Sequence, residues 1–264
     1  MSTASSRQPF AIVTGASSGI GLAFARQLAQ RGYNLLIVSN EERIGEVAQE
    51  LSAISSQLSV ISLVLDLGKQ SSAQELYAYT RAHGIEVEVL VNNAGVYHDC
   101  DILDDSEAFT GLIMNLHMYI PAMLCYLFGQ EMKARGKGYI LNVCSVTSQI
   151  AAQRLGTYGS TKAFLSHFTR ALHIELKPYG VYVTDVSPGA VDTGLFSIKP
   201  WLTLVGKCLG IIVSPETLAR RGLRALFKGR SKATVPTVFW RILCFLILLI
   251  PTCVLRLIRR LGWF

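Results

Sequence analysis

Tyr158 and Lys162 are separated by three residues in an apolar, helix-like run, Tyr158-Gly159-Ser160-Thr161-Lys162. Four residues is just over one helical turn, so the phenol and the ammonium emerge on the same face. An unperturbed phenol has a pKa of about 10 and an ammonium about 10.4. A fixed cation beside the phenol favours the phenolate and brings its pKa toward physiological pH, as acid/base chemistry requires. The spacing alone is also common on solvated helices. It gains meaning only if the chain supplies a hydride donor, a group that polarises a carbonyl and a walled pocket.

The elements that must position such a pair can be followed along the chain. Phe10 to Thr14 is a short apolar strand that runs into Gly15-Ala16-Ser17-Ser18-Gly19-Ile20-Gly21, and a helical pattern follows from Leu22 to Arg31. Strand, glycine-rich turn and helix together make a phosphate site, because glycines let backbone N–H groups approach a pyrophosphate at a helix N-terminus. Asn34 to Ser39 reads as a second strand, followed by Asn40, Glu41, Glu42 and Arg43. A carboxylate at this strand end selects the free ribose hydroxyl of NAD, and a basic group selects the 2′-phosphate of NADP. No acid occupies the strand end and Arg43 is near, which favours NADP(H) over NAD(H); the Glu pair keeps NAD(H) open.

Leu58 to Asp66 is the third strand, closed by Asp66-Leu67. Asp66 could accept from an adenine amine or cap the next helix. Ile85 to Val91 is the fourth strand, ending in Asn92-Asn93-Ala94-Gly95, where small and amide residues suit either a passing cofactor or a turn. A long helical pattern spans about Ser106 to Arg135 and holds Asn115 between Met114 and Leu116, a buried amide in need of partners. Gly138 to Cys144 is the fifth strand, ending at Ser145. The helix with Tyr158 and Lys162 runs from about Gly156 to Lys177, and Val181 to Ser187 is the sixth strand, leading into Pro188-Gly189-Ala190-Val191-Asp192-Thr193. With Ser231 to Val238 as a final strand, strands alternating with helices predict a doubly wound α/β domain with a mainly parallel, seven-stranded Rossmann-like sheet. Ligands bind such sheets at the strand carboxyl ends, where the notable loop residues fall.

Together these strings resemble the short-chain dehydrogenase/reductase family in its classical subgroup. TGASSGIG at 14–21, NNAG at 92–95, Asn115, Ser145, the YGSTK motif and PGAVDT at 188–193 occur in the family's order, with 13 residues from Ser145 to Tyr158. The resemblance implies that Tyr158 is the general acid in reduction and that Lys162 lowers its pKa and holds the nicotinamide ribose. It implies that Ser145 bonds the substrate carbonyl and that Asn115 supports a water leading to Lys162. Gly15, Ser17, Ser18, Gly19 and Ile20 would line the pyrophosphate, Asn40 and Arg43 the adenosine ribose, and Asp66 and Leu67 the adenine. Asn93, Ala94 and Gly95 would lie by the nicotinamide ribose, with Pro188, Gly189, Val191 and Thr193 around the carboxamide. Such relatives are commonly homo-oligomers.

A lid at about 194–213 contributes Leu195 and Trp201, and neighbouring loops add Tyr97, Gln149 and Leu155. This set predicts a lipophilic substrate (a 3-keto sphingoid base, a long-chain 3-oxoacyl group or a steroid-like ketone), although an apolar lid also serves as plain core packing. The catalytic domain is expected over 1–238, with a helical appendage at 239–264. From residue 199 onward there are 12 Lys/Arg against one acidic residue, whereas residues 1–198 hold 13 basic and 17 acidic. The basic residues are interleaved with Ile, Leu, Trp and Phe, which suits an anionic membrane surface better than nucleic acid. Arg241 and Arg256 enclose 14 residues broken by Pro251, short of the roughly 20 apolar residues of a spanning helix. Peripheral contact with the inner face of a membrane is therefore expected, the rival being a tail that covers the sheet or a sister subunit. The six Cys are scattered without a CxxC or a His/Cys cluster, so no metal and no disulfide framework is expected. MSTASSRQPF lacks an apolar leader core, and a cytoplasmic setting follows. A different class, a nucleotide sensor without catalysis, is opposed by the complete Asn115, Ser145, Tyr158, Lys162 set.

Overall fold

The computed structural model describes residues 8–151, 154–192 and 212–235. Thr193, Leu195, Trp201, most of the expected lid and the 239–264 tail lie outside the described residues. In chain order the elements are β1 (Phe10–Thr14), α1 (Gly19–Ala29), β2 (Asn34–Ser39), α2 (Ile44–Ser52), β3 (Val60–Val64), α3 (Ser72–Ala82) and β4 (Val87–Asn92). There follow α4 (Glu107–Met114), a π turn (Asn115–Tyr119), α5 (Ile120–Arg135), β5 (Gly138–Val143), α6 (Gly156–Leu176) and β6 (Val181–Pro188). The chain then forms β7 (Ala190–Val191), β8 (Ile212–Val213), α7 (Pro215–Phe227) and β9 (Lys232–Val235).

Seven strands form one parallel sheet in the order β3-β2-β1-β4-β5-β6-β9. Chain direction across the sheet reverses between β1 and β4, and that switch point opens the crevice in which ligands bind. The central strands read as unbroken apolar runs because both faces are covered. On one face Phe24 and Leu28 of α1, Ile44 and Leu51 of α2 and Leu218 and Leu223 of α7 pack on Val13, Ile37 and Val186. On the other, Leu76 of α3, Leu124, Phe128 and Met132 of α5 and Leu176 of α6 pack on Ile12, Leu90 and Ile140. Each such side chain, fully buried, contributes about 1.5–3 kcal/mol.

The stretch Glu107–Arg135 is long and apolar enough to cross a membrane by composition, yet it lays its apolar stripe into this core. It runs as one helix over the expected residues, with a π turn inserted at Asn115–Tyr119. Between β4 and β5, Asn92 donates to Asn142 Oδ1 at 2.8 Å and Asn142 donates to Thr169 Oγ1 of α6 at 2.8 Å. These buried amides tie α6 to the sheet beneath the site. Ile212 and Val213, at the end of the expected lid, pair as a strand with Ala190 and Val191.

Candidate active site

The glycine turn is shaped by steric necessity. Gly15 and Gly19 have φ of 63° and 54°, and a Cβ on Gly21 would stand 2.0 Å from the Gly15 carbonyl oxygen. Thr14 and Asn93 lace the ends of β1 and β4 together. Thr14 Oγ1 accepts from the backbone N–H groups of Asn93 and Ala94 at 2.9 and 3.1 Å, while Asn93 Nδ2 donates to the carbonyls of Thr14 and Gly15 at 2.9 and 3.0 Å. Ser18 precedes α1 in an extended conformation with no side-chain cap, so the first N–H groups of α1 have no side-chain acceptor.

This turn forms one wall of a groove of about 620 Å³. Of the expected cofactor residues, Gly15, Ser17, Ser18, Gly19, Ile20, Asn40, Asp66, Leu67, Asn93, Ala94, Gly95 and Lys162 line it. Arg43 does not: it starts α2 as an exposed residue, and Glu41 takes its place in the wall. Asp66 neither faces inward alone nor caps a helix. Its Oδ1 accepts from Gly68 N at 2.8 Å, making a tight turn, and α3 begins later, after Ser71. Val191 is buried in β7 within the apolar core, away from the groove wall, and Pro188 and Gly189 lead into it from β6. The open groove, the glycine cradle that a Cβ would fill and the unpaired N–H groups of α1 fit a dinucleotide.

The carboxyl edge of β5 brings Ser145, Tyr158 and Lys162 together. Ser145 is extended, and its Oγ accepts from Thr147 N at 3.2 Å and from Thr147 Oγ1 at 2.8 Å. The Tyr158 ring is boxed edge-on by Tyr97 and His117, with centroids 5.3 and 5.6 Å away. Lys162 is buried and donates to the Val143 carbonyl at 2.9 Å, its Nζ 5.8 Å from the Tyr158 ring centroid. Burial pushes the Tyr158 phenol up to about 12, and a hydrogen bond with Ser145 offsets part of that. Burial also brings the Lys162 ammonium down to about 8, against the opposing pull of Cys144 and Asp185. Burial is the largest influence on the Tyr158 phenol here, and the Lys162 hydrogen bond is directed at a backbone carbonyl.

Asn115 Nδ2 donates to the Gly68 carbonyl at 2.6 Å, which ties the π turn to the loop after β3, and its buried Oδ1 has no protein partner. Tyr97 lies edge-on against Tyr158. Leu155 receives Gly159 N at 2.6 Å just ahead of Tyr158, whereas Gln149 is exposed on the turn that follows Ser145. Sequence reading missed Thr14 and His117. A histidine two positions past Asn115 in an apolar run was the available signal for the last. It also missed His98, Cys100 and Asp105, whose ligating atoms lie within 4.8 Å of one another beside Tyr97. Asp105 Oδ1 there already accepts from Ser106 N and faces His98 Nδ1.

Residues 9–200 match the short chain dehydrogenase family. The chain belongs to that family. Its members are oxidoreductases that use NAD(P)(H). The chain is 34% identical over 76% of its length to a very-long-chain 3-oxoacyl-CoA reductase of Danio rerio, of which it covers 66%. It is 30% identical over 88% of its length to the human inactive hydroxysteroid dehydrogenase-like protein 1, of which it covers 68%. Two further very-long-chain 3-oxoacyl-CoA reductases are covered over 62% and 60% of their length, so the chain spans less than two thirds of these three reductases. Among solved structures, the short-chain dehydrogenase from Sphingobium yanoikuyae in complex with NADPH aligns with a TM-score of 0.78 and 25% identity, covering 89% of this chain and 92% of that one.

Proposed function

We propose that this chain interconverts a ketone and a secondary alcohol on a lipophilic substrate, with NADP(H) preferred over NAD(H). The observation that carries the reading is the meeting of Ser145, Tyr158 and Lys162 beside the dinucleotide groove. The cofactor, held by the glycine turn, Asn93 and Lys162, supplies hydride exchange when bound. The chain's own residues manage the proton and the charge. Tyr158, kept protonated by burial, donates its phenolic proton to the carbonyl oxygen in reduction. Ser145 supplies a hydrogen bond as negative charge develops on that oxygen. Lys162 carries a positive charge at neutral pH that steadies the phenolate left behind. The retained set distinguishes this reading from that of a non-catalytic sensor.

A long-chain 3-oxoacyl, 3-keto sphingoid or steroid-like ketone is the substrate class, supported by the named reductase relatives and by the aromatic wall of Tyr97. The NADP(H) preference rests on Ser39 and Asn40, which leave the end of β2 without a carboxylate, and on the NADPH-bound relative. Glu41 in the groove wall favours the second reading, NAD(H), because it can pair with a free ribose hydroxyl. We further propose a homo-oligomer, for which exposed Tyr119, Tyr126 and Phe164 offer apolar surface, and peripheral membrane contact through residues 239–264. A carbonyl panel assayed with NADPH and NADH in parallel tests substrate and cofactor together. Tyr158→Phe should lose orders of magnitude in turnover while still binding nucleotide, and unchanged turnover would overturn the mechanism.

A further inference from the structure

His117 lies buried beside Tyr158, and the reaction proposed above gives it no part. Its Nε2 stands 3.0 Å from the backbone nitrogen of Val96, a group that can only donate. Nε2 must therefore keep its lone pair, which leaves the ring proton on Nδ1. Nδ1 lies 3.1 Å from Thr161 Oγ1, and the Thr161 hydroxyl in turn donates to the Tyr158 carbonyl at 2.8 Å. Roles along this chain are fixed from both ends by backbone groups: an N–H donor at Val96 and a C=O acceptor at Tyr158. Only the neutral Nδ1–H tautomer satisfies every link.

Two local features let the ring close on the turn after β4. The π turn, in which Ile120 N–H reaches back five residues to the Asn115 carbonyl, directs His117 inward. Gly95 leaves room, since a Cβ there would stand 2.8 Å from Nε2. Gly95 and Val96 are themselves wall residues of the groove, and Thr161 lies between Tyr158 and Lys162. The imidazole is thus the strut between the cofactor wall and the helix that carries the proton donor. Of the titratable groups around it, Tyr158 faces the ring edge-on and Lys162 adds a positive charge from α6, while the β4 turn presents backbone and Val96. Burial and that charge both hold the imidazole well below its usual pKa.

We propose that His117 is a positioning residue, locked as the neutral Nδ1–H tautomer, that sets the spacing between the Gly95–Val96 wall and the Tyr158 backbone. The role in catalysis rests on reading the groove as the dinucleotide site; the tautomer does not. The first experiment is therefore long-range ¹⁵N–¹H correlation NMR of the full chain labelled at histidine. It should show one ring protonated on Nδ1 and bare on Nε2, unchanged as the pH falls from neutrality to below the ordinary imidazole pKa of about 6.5. An Nε2–H tautomer, or an imidazolium at pH ~6, overturns the proposal.

The second experiment compares His117→Phe, which keeps a ring and loses both hydrogen bonds, with His117→Gln, whose amide oxygen can still accept from Val96. The Phe variant should weaken nicotinamide dinucleotide binding about tenfold, the scale of one hydrogen bond, and lower kcat as well. The Gln variant should recover most of the dinucleotide affinity. A Phe variant within about twofold of the parent in both quantities overturns the positioning role. If the Phe variant does not fold, the Gln variant and the NMR result decide. A parent chain that binds no nicotinamide dinucleotide refutes the reading of the groove, an outcome the NMR result separates from failure of the strut.

Discussion

Gly21→Ala tests whether the cofactor turn is shaped by steric necessity. The new Cβ would meet Gly15 O at 2.0 Å, Asn93 Nδ2 at 2.6 Å and Gly15 C at 2.7 Å. The first contact is about 1.5 Å short of an ordinary van der Waals separation of ~3.5 Å. Two of the three obstacles are backbone, so relief requires moving α1 or the turn. Overpacking of this kind costs about 1–3 kcal/mol, and displacing Asn93 forfeits two hydrogen bonds at about 0.5–1.5 kcal/mol each. We therefore expect a loss of about 3–5 kcal/mol, together with loss of dinucleotide binding, because the displaced groups form the groove wall.

Two companion substitutions isolate the cause. Gly111 lies within α4 with nothing near its absent Cβ, so Gly111→Ala should stabilise by about 0.5–1 kcal/mol through helix propensity. Gly32 is equally open but has φ of 82°, so Gly32→Ala should cost about 1–2 kcal/mol from backbone strain alone. Urea unfolding gives the three stabilities and fluorescence titration gives dinucleotide affinity, which the two companions should keep. Gly21→Ala within about 0.5 kcal/mol of the parent, with unchanged affinity, would refute the close-approach argument.

Other expectations follow from the buried groups. With Lys162 titrating at about 8, kcat/KM for reduction should fall as pH rises through that value in a profile from pH 6 to 10; a flat profile contradicts the assignment. Folding lowers the Lys162 pKa from 10.5, so its burial opposes stability below pH ~8, and that penalty is relieved as pH rises toward ~10.5. Lys162→Met should therefore abolish turnover yet stabilise at pH 7. The gain is about 1–2 kcal/mol, a penalty of about 3 kcal/mol partly offset by an unpaired Val143 carbonyl; thermal unfolding that shows destabilisation would count against it. Asn142→Ala strips Asn92 and Thr169 of their partner and should cost about 2–4 kcal/mol in urea unfolding; a change below about 0.5 would mean the network is not structural.

Much of this arrangement was legible in order along the chain. Phe10–Thr14 and Asn34–Ser39 form strands over the expected residues because both are apolar runs stopped by glycine or polar residues. The glycine turn and the NNAG segment line the groove for the same reason: their residue types are demanded locally. What the sequence hid was set by tertiary geometry. A π turn inserts one residue into a helical turn and rotates the faces that follow, so the apolar run around Asn115 gave no sign that His117 turns into the site. Arg43 counted as a phosphate partner by proximity in sequence, but the start of α2 leaves it outside the groove and Glu41 within it. The pKa argument from Tyr–Lys spacing took water as the medium, whereas both groups are buried.

Burial also changes which group yields a proton first. In water phenol and ammonium titrate close together, near 10.0 and 10.5; here the phenol stands at about 12 and the ammonium at about 8. Environments that push two pKa values apart assign the acid/base roles. In the proposed reaction Tyr158 would hold its proton until an alkoxide forms beside it, and the phenolate left behind would be a stronger base than the Lys162 amine, which favours proton flow from Lys162 to Tyr158. The Ser145 hydrogen bond favours the phenolate, and the Val143 carbonyl holds the ammonium. Reduction suits this polarity. Oxidation requires the phenolate beforehand, and high pH or a further positive charge in the groove would have to supply the difference.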